Sequence, residues 1–173
     1  MHEKVRPLDE QQPHDAYALP LQDLAELQTE AQALGLWCFA SPAKYGGGGL
    51  GLLAQVLVAE EAARCRMGAY VPACGAFGID PPSVIWLGTH YQIERYGVPG
   101  IRRGSKCFVA ISESSGGSDP ARAIRTRAVR KDDHYVINGT KTWITAAGTA
   151  DWGLVFARTG GKAGNERGGI TCF

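Results

Sequence analysis

The stretch KCFVAISESSGGSD, residues 106–119, marks the point where the chain changes from helical to strand periodicity. Its apolar run, residues 107–111, stops at a segment with four hydroxyl groups, two acids and two adjacent glycines. A surface turn needs one glycine and one Asn or Asp, whereas this segment supplies a bend, a close backbone approach and many hydrogen-bonding groups. The stretch therefore predicts a strand that ends in a ligand loop, the serine–glycine loop of residues 112–119.

Before this stretch, the apolar residues recur at helical spacing. One helical face in residues 20–35 carries Leu21, Leu24, Leu27, Ala31 and Leu34. Gly35 suits the position after the end of that helix. Residues 50–65, LGLLAQVLVAEEAARC, are nearly continuously apolar and predict a helix that is mostly buried. Thr89 and Gln92 form a capping-box pattern at the start of a third helical region. The patterns predict a helical domain over residues 1–104.

After Gly104 the apolar pattern has the period of a β-strand. Short runs rich in β-branched and aromatic residues are KCFVAIS, AIRTRAVR, HYVI, TKTWIT and WGLVFAR. Asn138-Gly139 lies between HYVI and TKTWIT, and this dipeptide is the strongest short signal for a hairpin. The last four residues, ITCF, read as a strand that is just starting. An α+β fold is predicted, in which an N-terminal helical domain precedes an antiparallel sheet or barrel over residues 105–173, incomplete at its C-terminal end.

Composition excludes several classes of protein. A net charge of +1 over 173 residues argues against a general nucleic-acid binder, because binding to phosphates normally needs a basic excess. The five scattered cysteines lack CxxC spacing, so they predict neither a disulfide framework nor a zinc site, and they favour a reducing compartment. The N-terminus lacks the apolar core of a signal peptide, and no apolar stretch reaches the roughly 18 residues of a membrane span. A cytoplasmic, soluble protein is predicted.

Three further features have an ordinary structural interpretation. The four glycines at residues 46–49 could cradle a phosphate, but no strand precedes them and no Lys-Ser/Thr follows, so a tight turn between helices is favoured. The basic cluster comprises Arg122, Arg125, Arg127, Arg130 and Lys131. A solvated strand face is favoured for it, with binding of an anionic substrate tail as the alternative. The four histidines lack ligand spacing, and no metal site is predicted.

Trp143 has more weight in combination with the serine–glycine loop than it has alone. A tryptophan on a strand usually belongs to the core. Beside a loop of hydroxyl groups, it indicates instead a flat aromatic ligand, with Trp143 as the stacking face and Ser112, Ser118 and Thr145 as hydrogen-bonding partners.

Several motifs occur together in the order found in one family. They are ALGLWCFASPAKYGGGGLG at residues 33–51, LGTHYQIERYGVPGIRRG at residues 87–104, ISESSGGSD at residues 111–119, and residues 124–159. With these motifs, about residues 20–173 resemble the N-terminal helical and middle β domains of the acyl-CoA dehydrogenase family. The resemblance implies an FAD-dependent enzyme of fatty acid metabolism that removes the α and β hydrogens of an acyl-CoA as a proton and a hydride.

The resemblance also implies roles for individual residues. The cofactor-binding set is Val109, Ile111, Ser112, Gly117, Ser118, Trp143, Ile144 and Thr145. Ser112 stands where the family usually has Thr, and Ser118 is implied to contact both FAD and the pantetheine arm of the substrate. Trp143 is implied to lie along the flavin, and Thr145 to meet its reactive edge near N5. The family pattern E-P-x-A-G-S-D occurs at residues 113–119 without its proline.

Family members extend beyond this length, into a C-terminal helical bundle that carries the catalytic carboxylate. The resemblance therefore implies a fragment with a missing or shortened first helix, no catalytic base of its own, and a homo-oligomer or a completing partner chain. It also implies an electron-transferring flavoprotein as acceptor. Two alternatives stay open: a non-catalytic flavin or acyl-CoA-binding module, and a flavin-dependent oxidase or monooxygenase of the same fold. The presence of both Trp143 and Thr145 favours a dehydrogenase over a monooxygenase.

Overall fold

The computed structural model describes residues 1–16, 19–66, 71–160 and 169–173. The chain divides into two compact units, Met1–Ser105 (unit 1) and Lys106–Phe173 (unit 2). Unit 1 is helical and unit 2 is built on a sheet, which confirms the predicted α+β class. Among the described residues, no helix has both the length and the apolar character needed to cross a membrane.

Unit 1 consists of short helices and turns. Its α-helices are α1 (Val5–Glu10), α2 (Leu21–Ala33), α3 (Leu52–Ala62), α4 (His90–Gln92) and α5 (Val98–Arg103). Single 3₁₀ turns span Ala43–Tyr45, Pro72–Gly75 and Ser83–Leu87, and a π-helical turn spans Ile93–Gly97. Gly35 follows α2 with φ +69°, as its sequence position predicts. The predicted capping box is confirmed, since Thr89 N–H donates to Gln92 Oε1 at 2.8 Å and Gln92 N–H donates to Thr89 Oγ1 at 3.3 Å.

The core of unit 1 joins α1, α2 and the C-terminal end of α3. Its buried side chains are Val5, Leu19, Leu27, Ala62, Cys65, Ala73, Cys74 and Ala76. Leu27 and Ala31 bury the middle of the predicted face of α2, whereas Leu21 and Leu34 at its ends are exposed. The cluster stabilises the unit by removing apolar surface from water, at roughly 25 cal/mol per Å².

The prediction that α3 is mostly buried is wrong. Leu52, Leu53, Val56 and Leu57 are each more than half exposed, and Ala62 is its one buried residue. An apolar run indicates that a helix avoids water on all sides, but it does not specify which neighbour covers it. Within the described residues of unit 1, only the end of α3 reaches the core.

The glycine turn, residues 46–49, lies between the Ala43–Tyr45 turn and α3, so the prediction of a turn between helices is confirmed. Gly46 and Gly49 have φ values of +99° and +61°, which few other residues adopt. At Gly48 an added Cβ would lie 2.5 Å from the carbonyl oxygen of Gly35. The glycines therefore allow close packing of the chain on itself.

The described residues of unit 2 form a five-stranded sheet and one short helix. Its elements in chain order are β1 (Cys107–Ala110), α6 (Pro120–Ala123), β2 (Arg127–Lys131), β3 (His134–Asn138), β4 (Trp152–Arg158) and β5 (Ile170–Cys172). The strand order is β1-β4-β2-β3, and β5 pairs with β4. β1 and β4 run parallel, as do β2 and β4, whereas β2–β3 and β4–β5 are antiparallel. The sheet is thus mixed and not purely antiparallel, because the long connection between β1 and β4 permits a parallel return.

The hairpin lies at a different place from the one predicted. Lys131 pairs with His134, so the turn that joins β2 to β3 is Asp132-Asp133, and Asp132 adopts φ +51°. Aspartate tolerates this conformation better than most residues. Gly139 instead lets the chain pass close to Thr126, whose Cα would lie 2.7 Å from a Cβ at residue 139.

The predicted strand TKTWIT is also wrong. Residues 140–145, the Trp143 segment, form no strand. Trp143 has φ +58° and Ala146 has φ +65°, and both values are incompatible with an extended chain. The segment runs instead as an irregular connection between β3 and β4.

Candidate functional site

The serine–glycine loop begins where β1 ends and is closed at its base by the carboxylate of Glu113. Glu113 Oε2 accepts a hydrogen bond from the Arg125 amide at 2.7 Å, and Oε1 accepts one from the Thr126 amide at 2.9 Å. Within the loop, Gly116 N–H donates to the Glu113 carbonyl at 3.1 Å. Glu113 therefore connects the start of the loop to the residues that follow α6.

Lys141 connects the Trp143 segment to the same place. Its Nζ donates to Glu113 Oε1 at 2.9 Å and to the Ile111 carbonyl at 2.9 Å. The side chains of Lys141 and Glu113 are only 10% and 6% exposed, so this ion pair is largely screened from water. Next to it, Thr142 N–H donates to the Ser112 carbonyl at 3.0 Å. The end of β1 and the Trp143 segment are thus in direct contact.

The pKa of Glu113 reflects this environment. Burial raises the pKa of the carboxyl group, but hydrogen bonds from Thr126, from the Arg125 amide and from Lys141 outweigh burial and lower the pKa to about 2. The group is therefore ionised at neutral pH. A carboxylate held so firmly in its charged form is a poor proton acceptor, and Glu113 serves as an anchor and not as a general base.

The residues predicted from the sequence to bind a ligand differ in exposure. Ile111, Ser112 and Ile144 are half-buried. The others are exposed, namely Val109, Gly117, Ser118, Trp143 and Thr145. Contacts bring Ile111 and Ser112 against the start of the Trp143 segment. Among the described contacts, no hydrogen bond links Ser118 or Thr145 to the other residues of this set.

Trp143 presents its side chain to water. It is 94% exposed, although indole is one of the largest apolar side chains. Leaving such a ring in water forgoes roughly 1.5–3 kcal/mol of burial free energy. An exposed ring in the segment that contacts the half-buried Ser112 fits a flat aromatic ligand such as a flavin.

A cleft of about 450 Å³ is lined by the serine–glycine loop and by the residues that follow it. Gly117, Ser118, Arg122 and Arg125 contribute to its wall, and Arg122 forms an ion pair with Asp119 at 3.2 Å. Because β2 begins only at Arg127, the strand-face interpretation is wrong for Arg122 and Arg125. Two guanidinium groups beside a serine hydroxyl suit an anionic group.

Two basic residues that organise the site were not predicted from the sequence. Lys141 is one, and the other is Arg158 at the end of β4, which is 2% exposed. Arg158 Nε donates to the Ile124 carbonyl and its Nη2 donates to the Ala121 carbonyl, both at 3.1 Å. It thereby fixes the end of α6. The available signals were a lysine two residues before Trp143 and an arginine that ends the apolar run WGLVFAR.

The chain matches known protein families over both of its units. Residues 1–105 match the family model for the N-terminal domain of acyl-CoA dehydrogenases, and residues 107–173 match the model for the middle domain. The chain is 35% identical over 153 residues to mitochondrial isovaleryl-CoA dehydrogenase of Pongo abelii, a match that covers 87% of this chain and 36% of the relative.

Two solved structures have the same fold. Butyryl-CoA dehydrogenase from Megasphaera elsdenii is 30% identical with a TM-score of 0.66, over 99% of this chain and 44% of that one. An acyl-CoA dehydrogenase from Bacillus anthracis, complexed with FAD, is 30% identical with a TM-score of 0.60, over 92% of this chain and 26% of that one. The chain therefore spans less than half the length of each of these proteins.

Proposed function

The chain belongs to the acyl-CoA dehydrogenase family, and we propose that it supplies the flavin-binding part of an FAD-dependent acyl-CoA dehydrogenase. One observation carries the proposal. The Trp143 segment and the end of β1, which the resemblance assigns to the same flavin, are joined by the Thr142–Ser112 hydrogen bond of 3.0 Å and by Lys141. The relative from Bacillus anthracis, whose structure is described as complexed with FAD, gives further support.

The residues that would hold FAD have complementary roles. Trp143 offers its exposed ring as a stacking face and keeps water from the flavin. Ser112 and Thr145 offer hydroxyl groups, Val109, Ile111 and Ile144 line the site, and Gly117 permits close approach. When bound, FAD accepts the electron pair that leaves the acyl chain. Donors held in place by the fold stabilise the negative charge that this produces, because they need no reorganisation.

The cleft beside Ser118 is proposed to take part of the acyl-CoA. Ser118 can hydrogen-bond an amide of the pantetheine arm. Arg122 and Arg125 line the same cleft and can pair with a phosphate group of the coenzyme. This arrangement favours binding of an anionic substrate tail by these two arginines.

We assign no catalytic base to the described residues. Glu113 is held in its ionised form by hydrogen bonds from the Arg125 and Thr126 amides and from Lys141. Glu60 and Glu61 lie on α3 in unit 1. The base is proposed to come from another part of the whole protein or from a partner chain. An electron-transferring flavoprotein as acceptor, a homo-oligomeric assembly and a cytoplasmic location stay predictions.

Titration of the 173-residue chain with FAD tests the proposal, followed by assay with a panel of acyl-CoAs and an artificial electron acceptor. We expect weak FAD binding and no dye reduction. Absence of any FAD binding by a folded chain would contradict the proposal, and steady dye reduction by a homogeneous monomer would contradict the assignment of the base. Slow reoxidation of the photoreduced, bound flavin in air would favour a dehydrogenase over an oxidase or monooxygenase.

A further inference from the structure

The buried ion pair of Glu113 and Lys141 joins three segments of unit 2. Glu113 stands at the end of β1 and binds the amides of Arg125 and Thr126, which follow α6. Lys141 brings in the Trp143 segment and also binds the Ile111 carbonyl. Removal of either charge would therefore loosen the serine–glycine loop, the chain after α6 and the Trp143 segment together.

The ion pair is close in sequence to Ser112 and Trp143, the proposed hydrogen-bond donor and stacking face for the flavin. Glu113 directly follows Ser112, and Lys141 lies two residues before Trp143. Between them, the hydrogen bond from Thr142 N–H to the Ser112 carbonyl sets the spacing of the two chains at 3.0 Å. The position of the Trp143 ring relative to Ser112 thus depends on contacts that the ion pair maintains.

The backbone at Trp143 makes this dependence stronger. Its φ of +58° is uncommon for a residue with a large side chain and costs free energy. Such a conformation persists only where surrounding contacts enforce it. The side chain of Trp143 is 94% exposed and provides little of that support, so the support comes from Lys141 and Thr142.

We propose that Glu113 and Lys141 form a positioning pair that holds Trp143 and Ser112 at the spacing required for one flavin ring. This inference rests on the proposed function. Glu113 and Lys141 act through Ser112 and Trp143. The two members of the ion pair are therefore positioning residues and not catalytic residues.

The principal test compares Lys141→Met with a matched control, Lys131→Met. Lys131 is an exposed lysine on β2 for which the described contacts include no side-chain partner. We expect Lys141→Met to weaken FAD binding at least tenfold in a fluorescence titration, Lys131→Met to change it less than twofold, and Lys141→Arg to restore it to within threefold of the wild type. An affinity of Lys141→Met within twofold of the wild type would overturn the proposal, even if its melting temperature fell.

Amide hydrogen exchange without FAD separates this inference from the proposed function. We expect exchange of the Thr142 amide to accelerate at least tenfold in Lys141→Met and to stay unchanged in Lys131→Met. If the wild type fails to bind FAD, the proposed function fails, while the exchange rates still decide whether the pair orders the Trp143 segment. An unchanged Thr142 rate overturns the pair's role in either case.

Removal of Lys141 leaves a buried carboxylate with only amide partners, which can prevent folding. The double variant Glu113→Gln/Lys141→Met removes both charges and keeps an amide side chain at residue 113. With a wild-type far-UV circular dichroism spectrum, this variant should still show the accelerated Thr142 exchange and the tenfold loss of affinity. Wild-type values of both quantities in the folded double variant would overturn the proposal.

Discussion

Two glycine-rich segments of the chain, the glycine turn and the serine–glycine loop, look alike in sequence and differ in structure. In the glycine turn of unit 1, the amides of Gly46, Gly47, Gly48 and Gly49 donate to the carbonyls of Ala43, Pro42, Cys38 and Ser41 at 2.9 to 3.3 Å. In the serine–glycine loop of unit 2, Gly116 donates to Glu113, whereas Gly117 and Ser118 are exposed and have no hydrogen bond among the described contacts.

The difference shows that a ligand loop is indicated by amides without an acceptor in the protein, and not by the number of glycines. Every amide of the glycine turn has a carbonyl acceptor close by in its own unit, so none is left to bind a ligand. The serine–glycine loop is anchored by one carboxylate at its base and leaves its tip free to bind. One segment uses glycine to pack, and the other uses it to keep polar groups accessible.

The largest expected effect is a loss of stability at low pH, which should affect the serine–glycine loop and not the glycine turn. The pKa of Glu113 is lowered to about 2, so its contribution to stability is complete above the unfolded-state pKa and is lost as the pH falls through about 2. We expect about 3 kcal/mol of the free energy of unfolding of unit 2 to disappear between pH 5 and pH 2. Urea unfolding of the wild type and of Glu113→Gln at both pH values measures it.

The control for this pH effect is the glycine turn in the Asp80→Asn variant. The amides of the turn donate to carbonyl oxygens, which do not titrate, and the substitution removes the one carboxylate bound to Ser41 among the described contacts. Amide exchange at residues 47–49 should keep its protection at pH 2 relative to pH 5, after correction for the intrinsic rate, while the Arg125 and Thr126 amides lose theirs. Equal loss in both segments would break the comparison.

The next effect in size concerns the tightness of the glycine turn. At Gly48, an added Cβ would lie 2.5 Å from the Gly35 carbonyl oxygen and 2.8 Å from the Cα of Phe39, and both are backbone atoms that move little. We expect Gly48→Ala to reduce the free energy of unfolding of unit 1 by about 2 kcal/mol. Gly117→Ala is the matched control, because nothing lies within 4 Å of its added Cβ, and its stability should stay within about 0.5 kcal/mol of the wild type.

A smaller effect concerns binding alone. Trp143→Ala should weaken FAD binding by about 0.5–1.5 kcal/mol beyond the lost contact area, because a stacking face is removed. Its effect on the melting temperature should be negligible, since the side chain is 94% exposed. The half-buried Trp37, whose Nε1 donates to the Ile101 carbonyl at 2.9 Å, provides a contrast, since Trp37→Ala should lower the stability of unit 1. Unchanged affinity and flavin spectrum in Trp143→Ala would argue against stacking.

The smallest effect is on the redox potential. Ser112→Ala removes a hydroxyl donor, and we expect the reduction potential of the bound flavin to fall by roughly 10–30 mV, which corresponds to about 0.5–1.5 kcal/mol for two electrons. Spectroelectrochemical titration of the two proteins measures the shift. A potential that does not change would restrict Ser112 to a backbone role, through its carbonyl bond to Thr142.

Local signals in the sequence predicted local structure well. Gly35 ends α2 and Thr89 caps α4 because both effects involve residues within one helical turn. The change in apolar period after Gly104 predicted the α+β class for the same reason, since each period reflects the geometry of a single element. The motifs of the serine–glycine loop and of residues 140–145 likewise predicted the family.

Other features depended on which distant segments meet, and only the tertiary structure decided them. Trp143 lies outside the strand predicted for it, in a segment where Lys141 forms an ion pair with Glu113, a residue 28 positions away. The exposed face of α3 and the parallel pairing of β1 with β4 have the same origin, since propensity carries no information about partners. The sequence by itself determined the fold class, the family and local features such as the glycine after α2 and the cap of α4. The structure decided the contacts between segments. Two charges attract each other strongly only after the fold has brought both of them out of water and next to each other.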